Sequence, residues 1–143
     1  MRVSQNFVVQ EFIPPEIWER FGESSIWFID KRIINLAQAI RDRVKLPVTI
    51  NNWHTGGDYK YSGFDPPGGY RDVKSLSQHR FSRAMDIKIK GIFPRDVAKE
   101  IIDNFTIYKK YGLTTIEDPD FTSTWTHADI RQTGSDNLLI VKP

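Results

Sequence analysis

Residues 77–90 read SQHRFSRAMDIKIK, and this stretch decides how the chain folds. From residue 84 onward apolar and polar side chains alternate, which predicts a strand with one face in the core and one polar face. Asp86 lies on the polar face, and His79 lies in the turn that leads into the strand. The stretch therefore brings an imidazole and a carboxylate close to one another in the sequence.

A second alternating segment reads WTHADIR and spans residues 125–131. One of its sides carries Trp125, His127, Asp129 and Arg131. If the two strands are neighbours in one sheet, the side chains of Asp86 and His127 can meet. The sequence itself leaves that pairing open.

Two imidazoles and one carboxylate are a suitable ligand set for Zn²⁺, and three protein ligands leave a fourth position for water. His79, Asp86 and His127 are therefore the predicted metal ligands, and zinc is the predicted cofactor. The alternative is that the three side chains do not converge and that the chain is a metal-free domain. His54 has no comparable partner pattern and is interpreted as a loop or groove residue.

The composition predicts a single globular domain over residues 1–143, with 39% hydrophobic and 13% aromatic residues for its core. The net charge of +2 is small and dispersed, so it does not indicate a nucleic-acid partner. The chain contains no cysteine, which excludes disulfide scaffolds, cysteine nucleophiles and zinc–thiolate sites. Any hydrolytic zinc site must then use histidine and carboxylate ligands.

The chain lacks the long apolar stretch of a signal peptide and any run of membrane-spanning length. We therefore expect a protein made in the cytoplasm, with no membrane partner, that reaches other compartments by a separate route. We also expect a monomer.

The remaining elements follow from hydrophobic period and from turn residues. The predicted helices are 15–21, 26–44 and 94–105, with Ser24 or Ser25 as the cap of the second one. The other predicted strands are 47–51, 113–117 and an edge strand at 138–141, and residues 1–12 are predicted to be extended.

A glycine-rich and aromatic-rich segment fills residues 52–75. Loops of this length without secondary structure are often functional. Its aromatic side chains either line a groove or pin the loop onto the domain, and the sequence does not decide between these roles.

The SxHxxSxAxD pattern of residues 77–86 resembles the first zinc segment of the D-alanyl-D-alanine carboxypeptidase and Hedgehog-domain superfamily. The WxHxD pattern of residues 125–129 is similar to its second zinc segment. The likeness extends from the second helix to about Arg131. It implies zinc, an α+β fold with a central antiparallel sheet and helices packed on one side, and cleavage of peptidoglycan stem peptides.

By this resemblance His79, Asp86 and His127 would hold the metal, and two departures from the family pattern stand out. Ser82 occupies the position of a family glycine, where another residue reaches the backbone conformation with strain. Thr124 occupies the position at which many relatives carry the acidic general base, three residues before the last histidine.

Glu117 is the predicted general base, because the Hedgehog-like arrangement takes a glutamate from the end of the preceding strand. Asp118 and Asp120 are expected behind it. Arg71 is the first candidate for stabilising the developing oxyanion, and Arg83 is the second.

Three further side chains are expected beside the metal or in the substrate cleft. Asp129 can orient a ligand imidazole or pair with Arg131. Trp125 either walls the cleft or is a sheet aromatic covered by the glycine-rich loop, and Ser77 belongs to the first zinc segment.

The resemblance thus implies a zinc metallopeptidase that acts on peptidoglycan peptides, such as a phage or prophage lysin that a separate pore releases. The bond that it cleaves, D,D or L,D, stays open. The alternative is a zinc-binding wall-binding or phage structural module with weak or no catalysis, which Ser82 and Thr124 motivate.

Overall fold

The computed structural model describes residues 1–143 as an α+β protein with a five-stranded sheet. The helices are α1 (Pro15–Phe21), α2 (Lys31–Val44), α3 (Pro94–Asp103) and α4 (Phe105–Lys109). The strands are β1 (Val48–Thr49), β2 (Ala84–Ile89), β3 (Thr115–Glu117), β4 (Thr126–Asp129) and β5 (Leu139–Val141). Short 3-10 segments lie at Val9–Glu11, Gly22–Phe28, Trp53–Thr55 and Gln78–Phe81. None of the helices combines the length and the apolar character that crossing a membrane requires.

The sheet has the strand order β1-β2-β4-β3-β5, and all neighbours are antiparallel except β3 and β5. The sheet is therefore mixed, whereas a wholly antiparallel one was expected. The reason lies in the chain path: β5 follows β4 after one reversal, so it runs opposite to β4 and in the direction of β3. The predicted α+β class is confirmed, and β5 is an edge strand as expected.

Strands β2 and β4 pair in a register that places Asp86 opposite His127 and Met85 opposite Ala128. The alternation in both strands then sorts the side chains onto two faces. Met85, Ala128 and their apolar neighbours on the same face are fully buried in the core. Asp86 and His127 lie on the opposite face, which is where the chemistry of the site is assembled.

Helices α2 and α3 share the hydrophobic core with this apolar face of the sheet. The face of α2 that is turned to the sheet is buried, and its core members are Ile33, Ile34, Leu36, Ala37, Ala39 and Ile40. Helix α3 contributes Val97, Ala98 and Ile101, and the N-terminal segment adds Phe7, Val9, Phe12 and Ile13. The core thus packs against one face of the sheet, and loops cover the other face.

Three of the predicted element bounds are wrong, each for a local reason. Helix α2 begins at Lys31 and not near residue 26, because the Asp30 side chain accepts a hydrogen bond from the Arg32 backbone N–H at 3.0 Å and caps it. The helix predicted to continue to residue 105 breaks at Asn104 into α3 and α4. Residues 1–12 are only partly extended, with a bridge between Arg2 and Val8 followed by a 3-10 turn.

Gly63 fixes the glycine-rich loop against the N-terminal segment. The Phe64 backbone N–H donates to the Phe12 carbonyl at 2.7 Å, and a Cβ on Gly63 would collide with that same carbonyl. Only glycine permits this approach. The ring of Phe64 stacks on Phe28 at a centroid distance of 6.2 Å, so part of the loop is indeed pinned onto the domain.

Ser82 lies at the junction between the 78–81 turn and β2 and has a left-handed backbone with φ 53° and ψ 36°. A residue with a Cβ is disfavoured in this conformation by roughly 1–2 kcal/mol. The Ser82 side chain is buried. The position thus carries a conformational cost that glycine would remove.

We expect Ser82→Gly to raise the free energy of unfolding by about 1 kcal/mol, since relief of the left-handed strain exceeds the added entropy of the unfolded chain. Thermal and urea unfolding measure the change. Ser82→Ala, which keeps the Cβ, is the matched control and should show no gain. Equal stability of the glycine and alanine variants would contradict the strain argument.

Candidate metal centre

His79, Asp86 and His127 converge on one point at the polar face of the sheet. Their ligand atoms all lie within 4.8 Å of one another. The Nε2 atom of His79 is 3.3 Å from Nδ1 of His127 and 3.3 Å from Oδ1 of Asp86. The His127 Nδ1 and Asp86 Oδ1 atoms are 2.8 Å apart. The convergence that the sequence left open is therefore present.

Two of these separations match what a tetrahedral zinc ion requires. Ligand atoms at about 2.05 Å from such an ion lie about 3.3 Å apart. Two of the three observed distances have this value, and the third is shorter. The donor set of two imidazoles and one carboxylate also suits zinc, so these residues fit the metal that the sequence predicts.

The outer nitrogen of each imidazole is held by the protein. Nδ1 of His79 lies 2.7 Å from the Gly63 carbonyl oxygen, which can only accept, so this nitrogen carries the proton. Nε2 of His127 lies 3.0 Å from Oδ2 of Asp129 and donates to it. Both rings thus turn their second nitrogen inward, the arrangement by which metal-binding histidines are commonly oriented.

Asp129 is fully buried and also receives the guanidinium of Arg131, with Nε 2.9 Å from Oδ1. Burial raises the pKa of the Asp129 carboxyl, but the hydrogen bonds from His127 and Arg131 outweigh it and hold the pKa below its usual value. The two roles considered for Asp129, orienting a ligand imidazole and pairing with Arg131, therefore occur together.

The inward nitrogen atoms of His79 and His127 and the Asp86 carboxylate oxygen lie close together. Their lone pairs repel one another unless a cation lies between them. Burial lowers the pKa of His127, but hydrogen bonds to Asp129 and Asp86 outweigh it and raise the pKa to about 9. Burial raises the pKa of Asp86, and the facing His79 and His127 rings bring it well below its ordinary value. Without a metal, a proton on His127 fills the role of the cation.

Glu117 lies beside the metal ligands, as the sequence predicts for the general base. Strand β3 pairs with β4 so that Ile116 faces Ala128, and continuing this register places Glu117 beside His127. The Glu117 Oε1 atom is 3.9 Å from His127 Nδ1, and the side chain is 18% exposed. Its carboxylate is therefore close to the centre and still open to water.

The acidic residues expected behind Glu117 are occupied elsewhere. Asp120 pairs with Arg95 at 2.6 Å, and Oδ1 of Asp118 accepts the Asp120 backbone N–H at 3.0 Å. Neither belongs to the group of ligand atoms. Of Glu117, Asp118 and Asp120, only Glu117 therefore lies beside the ligand group.

Arg71 reaches the site from the glycine-rich loop. Its Nη2 atom is 3.6 Å from Oδ2 of Asp86, and its Nη1 atom is 3.1 Å from Oδ2 of the fully buried Asp65. The backbone N–H groups of Tyr70 and Arg71 also donate to Asp65. This carboxylate therefore folds the loop so that a guanidinium stands next to a candidate metal ligand.

Arg83, the second candidate for the oxyanion, is exposed and outside the cleft, so that prediction is not supported by its position. Ser77 has a structural role, because its side chain caps the 78–81 turn by accepting the His79 backbone N–H at 3.4 Å. His54 lies in the 53–55 turn, outside the ligand group.

A cleft of about 360 Å³ opens beside Asp86. Trp125 lines it together with side chains of the glycine-rich loop, so this tryptophan is a wall of the cleft. Its lining also includes Tyr59, Tyr61, Tyr70, Arg71 and Lys88. The loop aromatics thus divide, with Phe64 pinning the loop and the tyrosines bordering the cleft.

Sequence reasoning missed Asp65, Arg80 and Lys88. The Arg80 guanidinium is nearly buried and donates to the backbone carbonyls of Asp65, Pro66, Arg71 and Asp72. Asp65 and Arg80 together define the shape of the loop. No sequence pattern around Asp65 indicates its role. Lys88 could have been found, because the alternation in β2 places it on the same polar face as Asp86.

Zinc binding at pH 7 should release about one proton, because the pKa of about 9 keeps His127 protonated in the metal-free protein. Zinc affinity should rise about tenfold per pH unit and level off above the His127 pKa. Calorimetry in buffers of different ionisation enthalpy measures the proton. An affinity that is unchanged from pH 7 to pH 9 would contradict the assignment.

The same pKa fixes a stability trend in the metal-free protein. A histidine whose pKa rises from 6.5 to about 9 on folding stabilises the fold fully below pH 6.5, and this contribution is lost as the pH rises through 9.

Asp129→Asn should weaken zinc binding by about 10- to 100-fold, because it removes the negative charge that supports the His127 ring. Competition with a chelating dye measures the dissociation constant. Asp120→Asn makes the same change at an exposed ion pair and should leave zinc affinity unaltered. Equal affinities for the two variants would show that Asp129 has no part in metal binding.

No family model matches the chain, and neither a curated protein nor a solved structure matches it.

Proposed function

We propose that this protein is a zinc-dependent peptidase that hydrolyses a D,D- or L,D-peptide bond in peptidoglycan stem peptides or cross-links. The observation that carries the proposal is the convergence of the His79, Asp86 and His127 ligand atoms beside an open cleft and next to Glu117. A closed structural zinc site has four protein ligands, and here the group has three.

Glu117 has the position of a general base. Bound zinc would supply Lewis acidity that polarises the scissile carbonyl and makes water a nucleophile near neutral pH. Glu117 takes a proton from the attacking water as the oxygen–carbon bond forms, and it gives a proton to the amine as the carbon–nitrogen bond breaks. Its partial exposure keeps the carboxylate accessible to both water and the leaving group.

Arg71 would stabilise the negative charge that develops on the carbonyl oxygen. Its guanidinium is anchored by Asp65 and stands 3.6 Å from Asp86, so it is oriented before the substrate arrives. Fixed donors of this kind contribute strongly to catalysis since they need no reorganisation during the reaction. Trp125 and the loop tyrosines would form the walls along which a peptide lies.

The choice of peptidoglycan as substrate follows from the resemblance of residues 77–86 and 125–129 to the D-alanyl-D-alanine carboxypeptidase and Hedgehog-domain superfamily. The position of Glu117 beside His127 supports the Hedgehog-like variant of that arrangement. A role in phage or bacterial cell-wall lysis belongs to the same proposal.

Glu117→Gln should lower kcat by about 10²- to 10⁴-fold while zinc content stays at one ion per chain, because the variant loses the proton acceptor and keeps the ligands. Zymography on purified peptidoglycan, with and without chelator, and metal analysis measure the two properties. Glu19→Gln, at an exposed position of α1, is the matched control. Absence of chelator-sensitive cleavage by zinc-loaded wild-type protein would overturn the enzyme assignment.

The alternative is a zinc-binding module that attaches to the cell wall without efficient catalysis. The left-handed Ser82 and the presence of Thr124 at the cleft favour this alternative. A zinc-loaded wild-type protein that sediments with cell walls but releases no peptide would support the module, and cleavage lost in Glu117→Gln would exclude it.

A further inference from the structure

Lys88 is the next residue after Asp86 on the polar face of β2. Two residues along a strand span about 6.6 Å, so the lysine lies on the metal side of the sheet and a short step away from the ligand. The register of β2 with β4 pairs Ile87 with Thr126, and its continuation puts Lys88 beside Trp125. Both side chains line the cleft that opens next to Asp86.

The Lys88 ammonium has only neutral partners within hydrogen-bond distance. Its Nζ atom donates to the Ser62 hydroxyl at 2.7 Å and to the Asp86 backbone carbonyl at 3.3 Å. It also lies 4.1 Å from the centre of the Tyr59 ring, in cation–π contact. No carboxylate lies within 4.0 Å of it, although the side chain is half-buried.

The other charges near the cleft floor are already committed. Arg71 is paired with Asp65, and the Asp86 carboxylate belongs to the metal ligand group. Lys88 is therefore a cation held in a fixed orientation with no carboxylate in direct contact, and the Asp86 charge that acts on it from further away belongs to the candidate metal group. A buried or half-buried ammonium without a counterion is unfavourable, and an anionic ligand group in the cleft would relieve this cost.

We propose that Lys88 determines substrate specificity by binding a carboxylate of the peptide next to the scissile bond. The inference rests on the proposed peptidase function and deepens it. One extended residue spans about 3.3–3.6 Å, so a carbonyl at the metal and a carboxylate one or two residues away can be engaged together. The substrate class is then a peptide with a free carboxylate close to the cleaved bond.

Two groups of a stem peptide have this chemistry. One is the C-terminal carboxylate, which selects for carboxypeptidase cleavage. The other is the free α-carboxylate of a γ-linked D-glutamate, which selects for cleavage within the stem. Amidating each carboxylate separately distinguishes the two sources.

The test measures binding and does not depend on turnover. Zinc-loaded Glu117→Gln protein is titrated by calorimetry with L-Ala-γ-D-Glu-L-Lys-D-Ala-D-Ala, with its C-terminal amide and with its α-amidated D-glutamate form. The same titrations are repeated with two double variants of the Glu117→Gln protein. One also carries Lys88→Met, which keeps an apolar side chain without the charge, and the other also carries Lys88→Arg, which keeps the charge. Lys90→Met removes an exposed lysine from the turn directly after the same strand and is the matched control.

We expect one of the two amidations to weaken binding to the Glu117→Gln protein by about tenfold or more, as for loss of a hydrogen bond between charged groups. Adding Lys88→Met should weaken binding of the unmodified peptide equally and abolish discrimination against the amidated form. Lys88→Arg should retain part of the discrimination, and Lys90→Met should retain all of it. Thermal unfolding of each zinc-loaded variant separates a loss of binding from a loss of fold.

Two results would overturn the inference. In the first, Lys88→Met binds the unmodified peptide as tightly as its parent. In the second, neither amidation changes the affinity of the parent. If the wild-type protein still cleaves peptidoglycan in either case, only the role of Lys88 fails, whereas absence of both cleavage and peptide binding removes the proposed function as well.

Discussion

The pairing of Asp86 with His127 across β2 and β4 is the contact on which the other features of the site depend. It exists because the two strands share one register, with Met85 and Ala128 buried behind it. A slip of one residue would turn the carboxylate into the core and expose an apolar side chain instead. The hydrophobic core therefore fixes the geometry of the polar face.

The glycine-rich loop supplies the groups that orient His79 and that lie beside Asp86. The Gly63 carbonyl oxygen accepts a hydrogen bond from the Nδ1–H of His79, and this carbonyl is placed by the close approach of Gly63 to the N-terminal segment. Asp65 and Arg80 then tie the remainder of the loop to the 78–81 turn, so that Arg71 lies beside Asp86. The long segment without regular structure is thus held by buried polar groups, and its order is a condition for the order of the ligand rings.

The sequence predicts much of the sheet and the three ligands, because both follow from periodicity and from the spacing of rare residue types. Alternation around Asp86 and His127 suffices to place both on a polar face. The sequence does not predict that Asp30 caps α2. Ser24, Ser25 and Asp30 are all acceptable cap residues, and tertiary packing selects among them. The sequence also cannot predict the role of Asp65, whose partners are fixed only when an irregular loop has folded.

If the protein is the proposed zinc peptidase, the charges of its site link metal binding to the choice of substrate. In the metal-free protein a proton on His127 neutralises part of the charge of Asp86 and Asp129. A divalent cation that replaces this proton adds one positive charge at the edge of the cleft that Lys88 and Arg71 already line. An anionic group bound there would in turn favour the metal, since coupling between two binding events is reciprocal. On this proposal the same polar face would select both a metal ion and a peptide that carries a carboxylate close to the cleaved bond.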